Sequence, residues 1–172
     1  MLLLQGEAFE ELFREAEREA FHLEVQDTYE TPEESAPFRR FLSGDPDDYE
    51  WFQPWLSHVR ETTSRGVAVN RARVVSVPHT DYTRFAMDVA RFNTEAGEDV
   101  RYLSRHLIDP AALTADDWWI FDDETVAFTV FEPSGRWAGG AVTTDPVIVD
   151  HVRRVKERVW SVAVPLPEYS NR

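Results

Sequence analysis

Four arginines in the middle of the chain are the residues whose type and spacing could do chemistry. Arg71 and Arg73 stand two positions apart in one extended run, and Arg101 and Arg105 lie in and directly after a second run. Because strand side chains alternate between faces, each pair is expected to share one face of its strand. A guanidinium group binds carboxylate or phosphate through paired hydrogen bonds. If the two strands are neighbours, the pattern predicts a site for a small anionic ligand.

Two further residues are assigned to this ligand site. His79 lies in the loop after the first run, where a helix N-terminus would face the carboxyl end of the sheet. Trp118 begins a later aromatic strand. An alternative stays open, because Glu98, Asp99 and acidic residues of the N-terminal third could instead neutralise the arginines as structural ion pairs.

A strand–helix–strand unit must position these side chains. Residues 67–77 are rich in valine, which fits a pleated surface, and Thr80 caps a helical pattern that Gly97 ends. A second extended run follows at 99–104. Crossovers of this length join parallel strands of one sheet, so the sequence predicts a βαβ unit at the centre of the fold.

The segments before this unit predict further elements. An amphipathic helix is expected at 7–20, followed by an alternating strand at 21–29. His22 and Glu24 would share the polar face of that strand, either at a solvent-facing edge or in a site. Aromatic residues crowd the segment 49–64, where they form core or the wall of a pocket.

The segments after the unit complete the predicted fold. Asp145 caps a last helix, and the tail beyond that helix is expected to be extended. Strands are expected at 118–121, 125–131 and 137–143. The predicted fold class is α/β, a mixed sheet with a central βαβ unit and flanking helices, in a single domain of residues 1–172.

The chain is acidic, and its charge is unevenly spread. The formal net charge is −14, and residues 1–52 hold 4 basic and 15 acidic residues, a net of −11. An acidic surface repels phosphate backbones, so we expect no direct nucleic-acid binding. The N-terminal third is either a solvated surface or a face for a basic partner. Without cysteine or an apolar run of membrane-spanning length, the protein is expected to be soluble and cytoplasmic.

Familiar catalytic and metal-binding motifs are missing from the sequence. The five histidines have no paired ligand spacing, and no P-loop, GxGxxG or GxSxG motif occurs. Acidic residues at 116–117 and 122–124 fit turn chemistry better than a metal site. We therefore assign no catalytic residue, metal or cofactor, and we favour a protein that is not an enzyme.

Several segments, in order along nearly the whole chain, carry a family resemblance. They are FREAEREAFHLEVQDTY, WFQPW, GVAVNRARVVSVPHTDYTRF, AGEDVRYLSR, DDWWIFDD and VWSVAVPLPEY. The chain resembles an actinobacterial family of unknown function whose members are often encoded beside helix-turn-helix regulators or fused to them. That resemblance implies a regulator as partner, and it implies no catalytic residue.

Two further runs resemble one half of a phospholipase D-like domain. WIFDDETVAF is similar to its strand pair, and TDPVIVDHVRRVKERVW is similar to its closing helix. Those enzymes use His-x-Lys, then four residues and Asp. With the Asp placed at Asp122, the His and Lys positions hold Ala115 and Asp117. The resemblance is therefore to a degenerate form, which implies the fold without phosphodiester chemistry.

The expected function is a non-catalytic regulatory or interaction module. It would serve as partner or sensor for a helix-turn-helix transcription regulator and bind a small anionic ligand. The alternative is an enzyme or accessory protein of a specialised-metabolite pathway with an unrecognised active site.

Overall fold

A computed structural model describes residues 1–171, in which one mixed sheet is flanked by helices. The strands are β1 (Leu2–Leu4), β2 (Glu19–Glu24), β3 (Ala68–Val75), β4 (Asp99–Ser104), β5 (Trp118–Phe121), β6 (Thr125–Phe131), β7 (Trp137–Thr143) and β8 (Val164–Pro165). The helices are α1 (Gly6–Glu15), α2 (Pro32–Ser43), α3 (Gln53–Ser64), α4 (Asp81–Ala96), α5 (Pro146–Val162) and α6 (Leu166–Tyr169). Within this range no helix combines the length and apolar character needed to cross a bilayer.

The strand order is β1-β7-β6-β5-β2-β3-β4-β8. β2 and β4 run parallel to β3 on its two sides, and the remaining pairings of these strands are antiparallel. The predicted βαβ unit is confirmed as β3, α4 and β4. The α/β class and the mixed sheet predicted from the sequence are confirmed with it.

Local chemistry sets the limits of the central helix as predicted. The Thr80 hydroxyl accepts the backbone N–H of Thr83 at 3.0 Å and so satisfies one of the free donors of the first turn of α4. Gly97 adopts a φ of 107°, a left-handed conformation that ends the helix and turns the chain towards β4.

The N-terminal helix is shorter than predicted. α1 ends at Glu15, and β2 begins earlier than expected, at Glu19. A long-range contact explains this, because the Asp122 carboxylate accepts the backbone N–H groups of Glu17, Arg18 and Glu19, each at 2.8 Å. These donors are satisfied in an extended chain, so the helix stops before them.

Two short edge strands lie outside the sequence predictions. β1 pairs with β7 at one edge of the sheet, and β8 pairs with β4 at the other. The tail that was expected to be extended forms β8 and then α6. Strands of two or three residues carry too little alternation to be predicted from a sequence.

The two faces of the sheet differ in chemistry. On one face α5 packs its valines on an apolar core that includes Phe21, Leu23 and Trp118, all fully buried. The other face is covered by α1, α3 and α4, and it carries buried charge: Arg71 and Glu98 lie there, 9% and 1% exposed. The candidate site lies on this second face.

Candidate functional site

A cavity of about 510 Å³ lies between the charged face of the sheet and the helices α1, α2, α3 and α4. Its walls are mainly aromatic, formed by Phe9, Phe13, Tyr29, Trp51, Phe52, Trp55, Tyr82, Phe85, Trp119, Phe131 and Trp137. Its polar lining includes His22, Glu24, Thr31, Glu34, Arg71, Arg73, Asn93 and Asp117. A cavity of this size, with apolar walls and a few polar groups, has the character of a small-molecule site. The aromatic segment 49–64 thus supplies part of a pocket wall.

Four charged side chains form an ion-pair cluster at this cavity: Glu24, Arg71, Arg73 and Glu98. Glu24 binds both arginines, through Oε1 to Arg71 Nη1 and through Oε2 to Arg73 Nε, each at 2.5 Å. Arg71 Nε also donates to Glu98 Oε1 at 2.6 Å. The predicted ion pairs with Glu98 and with an acidic residue of the N-terminal third, Glu24, are confirmed.

Strand register explains why these groups meet. β2 and β3 are parallel neighbours in which His22 is opposite Arg71 and Glu24 is opposite Arg73. Side chains two residues apart on a strand share a face, so all four point to the cavity side of the sheet. The Arg71 guanidinium also lies 5.5 Å from the Trp55 ring centroid and 5.8 Å from that of Trp119, within cation–π range of both.

The cluster holds its charges strongly. Burial alone would raise the pKa of Glu24, but Arg73 and then Arg71 outweigh burial and hold that pKa well below its ordinary value. Burial alone would lower the pKa of Arg73, but Glu24 outweighs it and raises that pKa well above the ordinary value. Glu24 is therefore a fixed carboxylate at neutral pH, and it is poorly suited to act as a general acid or base.

Glu98 is the most enclosed member of the cluster. Besides Arg71, it accepts a hydrogen bond from Asn93 Nδ2 at 2.6 Å and one from Trp55 Nε1 at 3.3 Å. These donors come from β3, α4 and α3, so a single carboxylate links three elements that surround the cavity. A carboxylate that accepts from three donors is held in one position, so the ion-pair cluster forms a rigid floor of the cavity.

His22 is held flat against Trp119. Their ring centroids are 4.3 Å apart and their planes differ by 10°. His22 Nδ1 lies 2.9 Å from the Trp118 carbonyl oxygen, which can only accept, so Nδ1 carries the proton. Nε2 lies 3.4 Å from Glu24 Oε1. Of the two interpretations of this strand, the structure places His22 and Glu24 in the cavity, because β2 lies between β5 and β3.

Asp117 and Tyr29 form a second buried polar pair. Asp117 is 2% exposed, and it accepts the Val25 N–H at 2.7 Å and the Tyr29 hydroxyl at 2.5 Å. Burial and the charge of Glu24 raise the pKa of Asp117. Burial, then Glu24 and Asp117, raise the pKa of Tyr29 well above its ordinary value, so this hydroxyl stays protonated and donates.

Arg101 requires a correction, because it does not join Arg71 and Arg73. In the parallel register Arg73 is opposite Tyr102, whose hydroxyl it binds at 3.0 Å, so Tyr102 occupies the cavity face. Arg101 therefore points to the opposite face. There it pairs with Asp99 at 2.9 Å and lies 3.8 Å from the centroid of the Trp160 ring.

Arg105, His79 and Trp118 also lie outside the cavity lining. Arg105 Nη2 donates to the carbonyl oxygens of Val25 and Val74, at 2.6 and 3.0 Å, and so ties the ends of β2 and β3 together. His79 Nδ1 lies 2.9 Å from the Ser76 carbonyl oxygen. Trp118 is fully buried on the α5 face, because alternation gives the cavity position to Trp119. Ligand binding by Arg71 and Arg73 stays a prediction.

Several polar cavity residues were missed by the sequence reasoning, among them Glu34, Asn93 and Asp117. Asn93 follows Val89 by four residues on α4, so it lies on the buried side of that helix, where a polar residue is itself a signal. Asp117 was interpreted as a turn residue, and only the tertiary contact with Tyr29 reveals its place in the cavity. Across residues 1–171 no group of three or more histidine or acidic side chains is arranged to hold a metal ion.

The fold is similar to two solved structures. A phospholipase D family member, Nuc from Salmonella typhimurium, matches with a TM-score of 0.54 and 12% identity over 91% of this chain and 87% of that chain. TrmBL2, an archaeal chromatin protein described as having a novel mode of DNA binding, matches with a TM-score of 0.47 and 14% identity over 90% of this chain. This chain spans about half, 47%, of the length of TrmBL2. The likeness to the phospholipase D family member bears out the fold predicted from the sequence and, at this identity, shows the fold alone.

Sequence comparison gives the family. No curated protein matches this chain by sequence. A family model described as a domain of unknown function, DUF6879, matches residues 7–171, which is nearly the whole chain. The chain therefore belongs to the DUF6879 family.

Proposed function

We propose that this domain is a non-catalytic, small-molecule-binding module that works in the cytoplasm with a helix-turn-helix transcription regulator. The observation that carries the proposal is the aromatic cavity of about 510 Å³, whose floor is a saturated ion-pair cluster. A preformed cavity of this kind can bind a ligand without reorganising its charges.

The chemistry of the floor favours binding over catalysis. Glu24 is held ionised by two arginines, and Glu98 is enclosed by three donors. If the motif Asp of phospholipase D-like enzymes is placed at Asp122, Ala115 and Asp117 stand at the positions of their histidine and lysine. These features support a module that senses a ligand and does not transform it.

The partner is proposed from the family resemblance and the charge. The chain resembles actinobacterial proteins encoded beside helix-turn-helix regulators or fused to them. Its net charge of −14 disfavours direct contact with DNA, so the DNA contact belongs to the partner. The acidic N-terminal third would face a basic surface of that regulator.

Co-expression with a helix-turn-helix regulator encoded beside a member of this family tests the proposal. We expect the two proteins to co-elute in size-exclusion chromatography, and we expect the complex to weaken as ionic strength rises. Operator binding by the regulator should change when this protein is added. Separate elution together with unchanged operator affinity would refute the regulatory role.

One observation favours a second candidate function, an enzyme with an unrecognised active site. Asp117 and Tyr29 have raised pKa values and lie in the cavity beside His22, and perturbed groups of this kind often mark acid–base catalysis. Incubation of a metabolite extract with the protein, followed by mass spectrometry, separates the two candidates. A compound consumed by the wild type and spared by Asp117→Asn would establish the enzyme.

A further inference from the structure

The charges that line the cavity do not balance. The ion-pair cluster contains two arginines and two glutamates, so it is neutral as a unit. Three further acidic residues line the cavity. Glu10 pairs with Arg14 at 3.3 Å, whereas Glu34 and Asp117 have no cationic partner within residues 1–171 and accept the hydroxyls of Tyr82 and Tyr29. A negative excess inside a cavity with low-dielectric walls attracts cations and repels anions.

Asn93 provides a second observation at the cavity, independent of the acidic residues. It lines the cavity at 2% exposure, and the hydrogen bond from its Nδ2 to Glu98 fixes which end of the amide is the oxygen. That oxygen, Oδ1, is buried and has no hydrogen-bond partner among residues 1–171. A buried acceptor left without a donor costs free energy, so an N–H or O–H group brought to this atom by a bound molecule would be stabilising.

The walls suit a cation as well as an apolar body. Trp51, Tyr82 and Phe131 are among the aromatic residues that line the cavity, and aromatic faces attract positive charge. Arg71 already uses the faces of Trp55 and Trp119 in this way. The remaining aromatic surface is available to a ligand that combines an apolar body with a positive head.

We propose that the cavity binds a small organic ammonium ion, an N–H-bearing cation on an apolar or aromatic body, and this proposal rests on the ligand-binding role proposed above. The aromatic walls hold the body, Glu34 or Asp117 balances the charge, and Asn93 Oδ1 accepts one N–H. The sign of the ligand is opposite to that predicted from the arginines, because the glutamates of the cluster already neutralise Arg71 and Arg73.

Three indole probes with different head groups test the sign of the ligand. Tryptamine carries an ammonium, tryptophol a hydroxyl and indole-3-acetate a carboxylate on the same ring system. Titrations of the full chain by ligand-observed NMR should give tryptamine an affinity about tenfold or more above the other two, as a charge-assisted hydrogen bond implies. Equal affinities, tighter binding of indole-3-acetate, or no saturable binding of tryptamine would each overturn the proposal.

Matched variants identify which acidic residue of the cavity binds the positive charge of the ligand. Glu34→Gln and Asp117→Asn remove a charge but keep an acceptor for the tyrosine hydroxyl, and Glu33→Gln removes an exposed charge from the same helix as Glu34. At least one of the first two should weaken tryptamine about fivefold or more without changing the affinity for tryptophol, whereas Glu33→Gln should change neither. If tryptamine binds both cavity variants as tightly as the wild type, the acidic residues do not recognise it and the proposal fails.

The regulator experiment separates this inference from the proposed function. Co-elution with the helix-turn-helix regulator does not depend on which probe binds. If tryptamine does not bind to a protein that still binds the regulator, only the proposed ligand class is wrong. Failure of co-elution, with tryptamine bound selectively, overturns the regulatory role and leaves the cation site standing.

Discussion

Arg71 and Glu98 form an ion pair in the interior of the protein, with Arg71 Nε 2.6 Å from Glu98 Oε1 and the Glu98 side chain fully shielded from solvent. The pair joins β3 to the residue that follows Gly97 at the end of α4. Removing one partner of such a pair leaves an uncompensated buried charge, and this costs more than the intact pair contributes.

Glu98→Ala should lower the free energy of unfolding by about 3–5 kcal/mol, because it leaves two buried arginines against the single carboxylate of Glu24 and removes the acceptor of Asn93 and Trp55. The adjacent Asp99→Ala is the matched control. Asp99 pairs with Arg101 at 41% side-chain exposure, and its loss should cost less than about 1 kcal/mol. Urea denaturation measures the free energy of unfolding of both variants. Equal losses would show that burial of Glu98 does not increase the cost of removing it.

Acid should destabilise the wild type through Glu24. Burial would raise the pKa of this carboxyl, but Arg73 and Arg71 outweigh it and hold the folded-state pKa well below the ordinary 4.5. The unfolded chain therefore takes up a proton at this residue first as the pH falls. The stability that Glu24 contributes is fully present above about pH 4.5, and it is lost as the pH falls through the folded-state pKa.

Glu24→Gln removes this proton uptake and provides the measurement. In plots of unfolding free energy against pH, the wild type should fall more steeply below pH 4.5 than the variant, by up to about 1.4 kcal/mol per pH unit. Parallel curves would mean that the arginines do not perturb Glu24 in the folded protein.

Asp122→Ala should destabilise the hairpin of β5 and β6 and the start of β2 together. The Asp122 carboxylate accepts three backbone N–H groups, at residues 17–19, and an alanine leaves these donors to water. We expect a loss of about 1.5–3 kcal/mol. Glu124→Ala, at 75% side-chain exposure in the same turn, should change stability by less than about 0.5 kcal/mol. Similar melting of the two variants would contradict the structural role of Asp122.

The protein alone should bind duplex DNA no more tightly than roughly 10⁻⁵ M at physiological salt, because its net charge of −14 opposes the phosphate backbone. An electrophoretic mobility shift assay measures this directly. A shifted band at nanomolar protein, without a partner, would show that a local surface overrides the net charge.

Patterns within one element were read correctly from the sequence. Strand alternation placed Arg71 and Arg73 on a common face, and Thr80 and Gly97 marked the two ends of α4. The strand pair at 118–121 and 125–131 also follows from local pattern. Each of these features depends on residues a few positions apart, so the sequence carries it directly.

Local sequence patterns could not predict the contacts between elements that lie far apart in the chain. Whether His22 and Glu24 meet solvent or a cavity depends on β5 pairing with β2, about a hundred residues later in the chain. The sequence predicts that β3 and β4 are neighbours, but it does not predict their register. For this reason Arg101 was wrongly expected on the same face as the other arginines. The register puts Tyr102 opposite Arg73, and a difference of one residue exchanges the faces.

A slip of β3 by one residue would exchange the chemistry of the two sides of the sheet. Arg71 and Arg73 would then enter the apolar core beneath α5, and Val74 would face the carboxylate of Glu24. Unpaired guanidinium groups in such a core cost many kcal/mol, which is far more than a valine gains in the cavity. We infer that the ion-pair cluster disfavours strand pairings with the wrong register during folding. Arg71 and Arg73 thereby specify the register of the parallel half of the sheet.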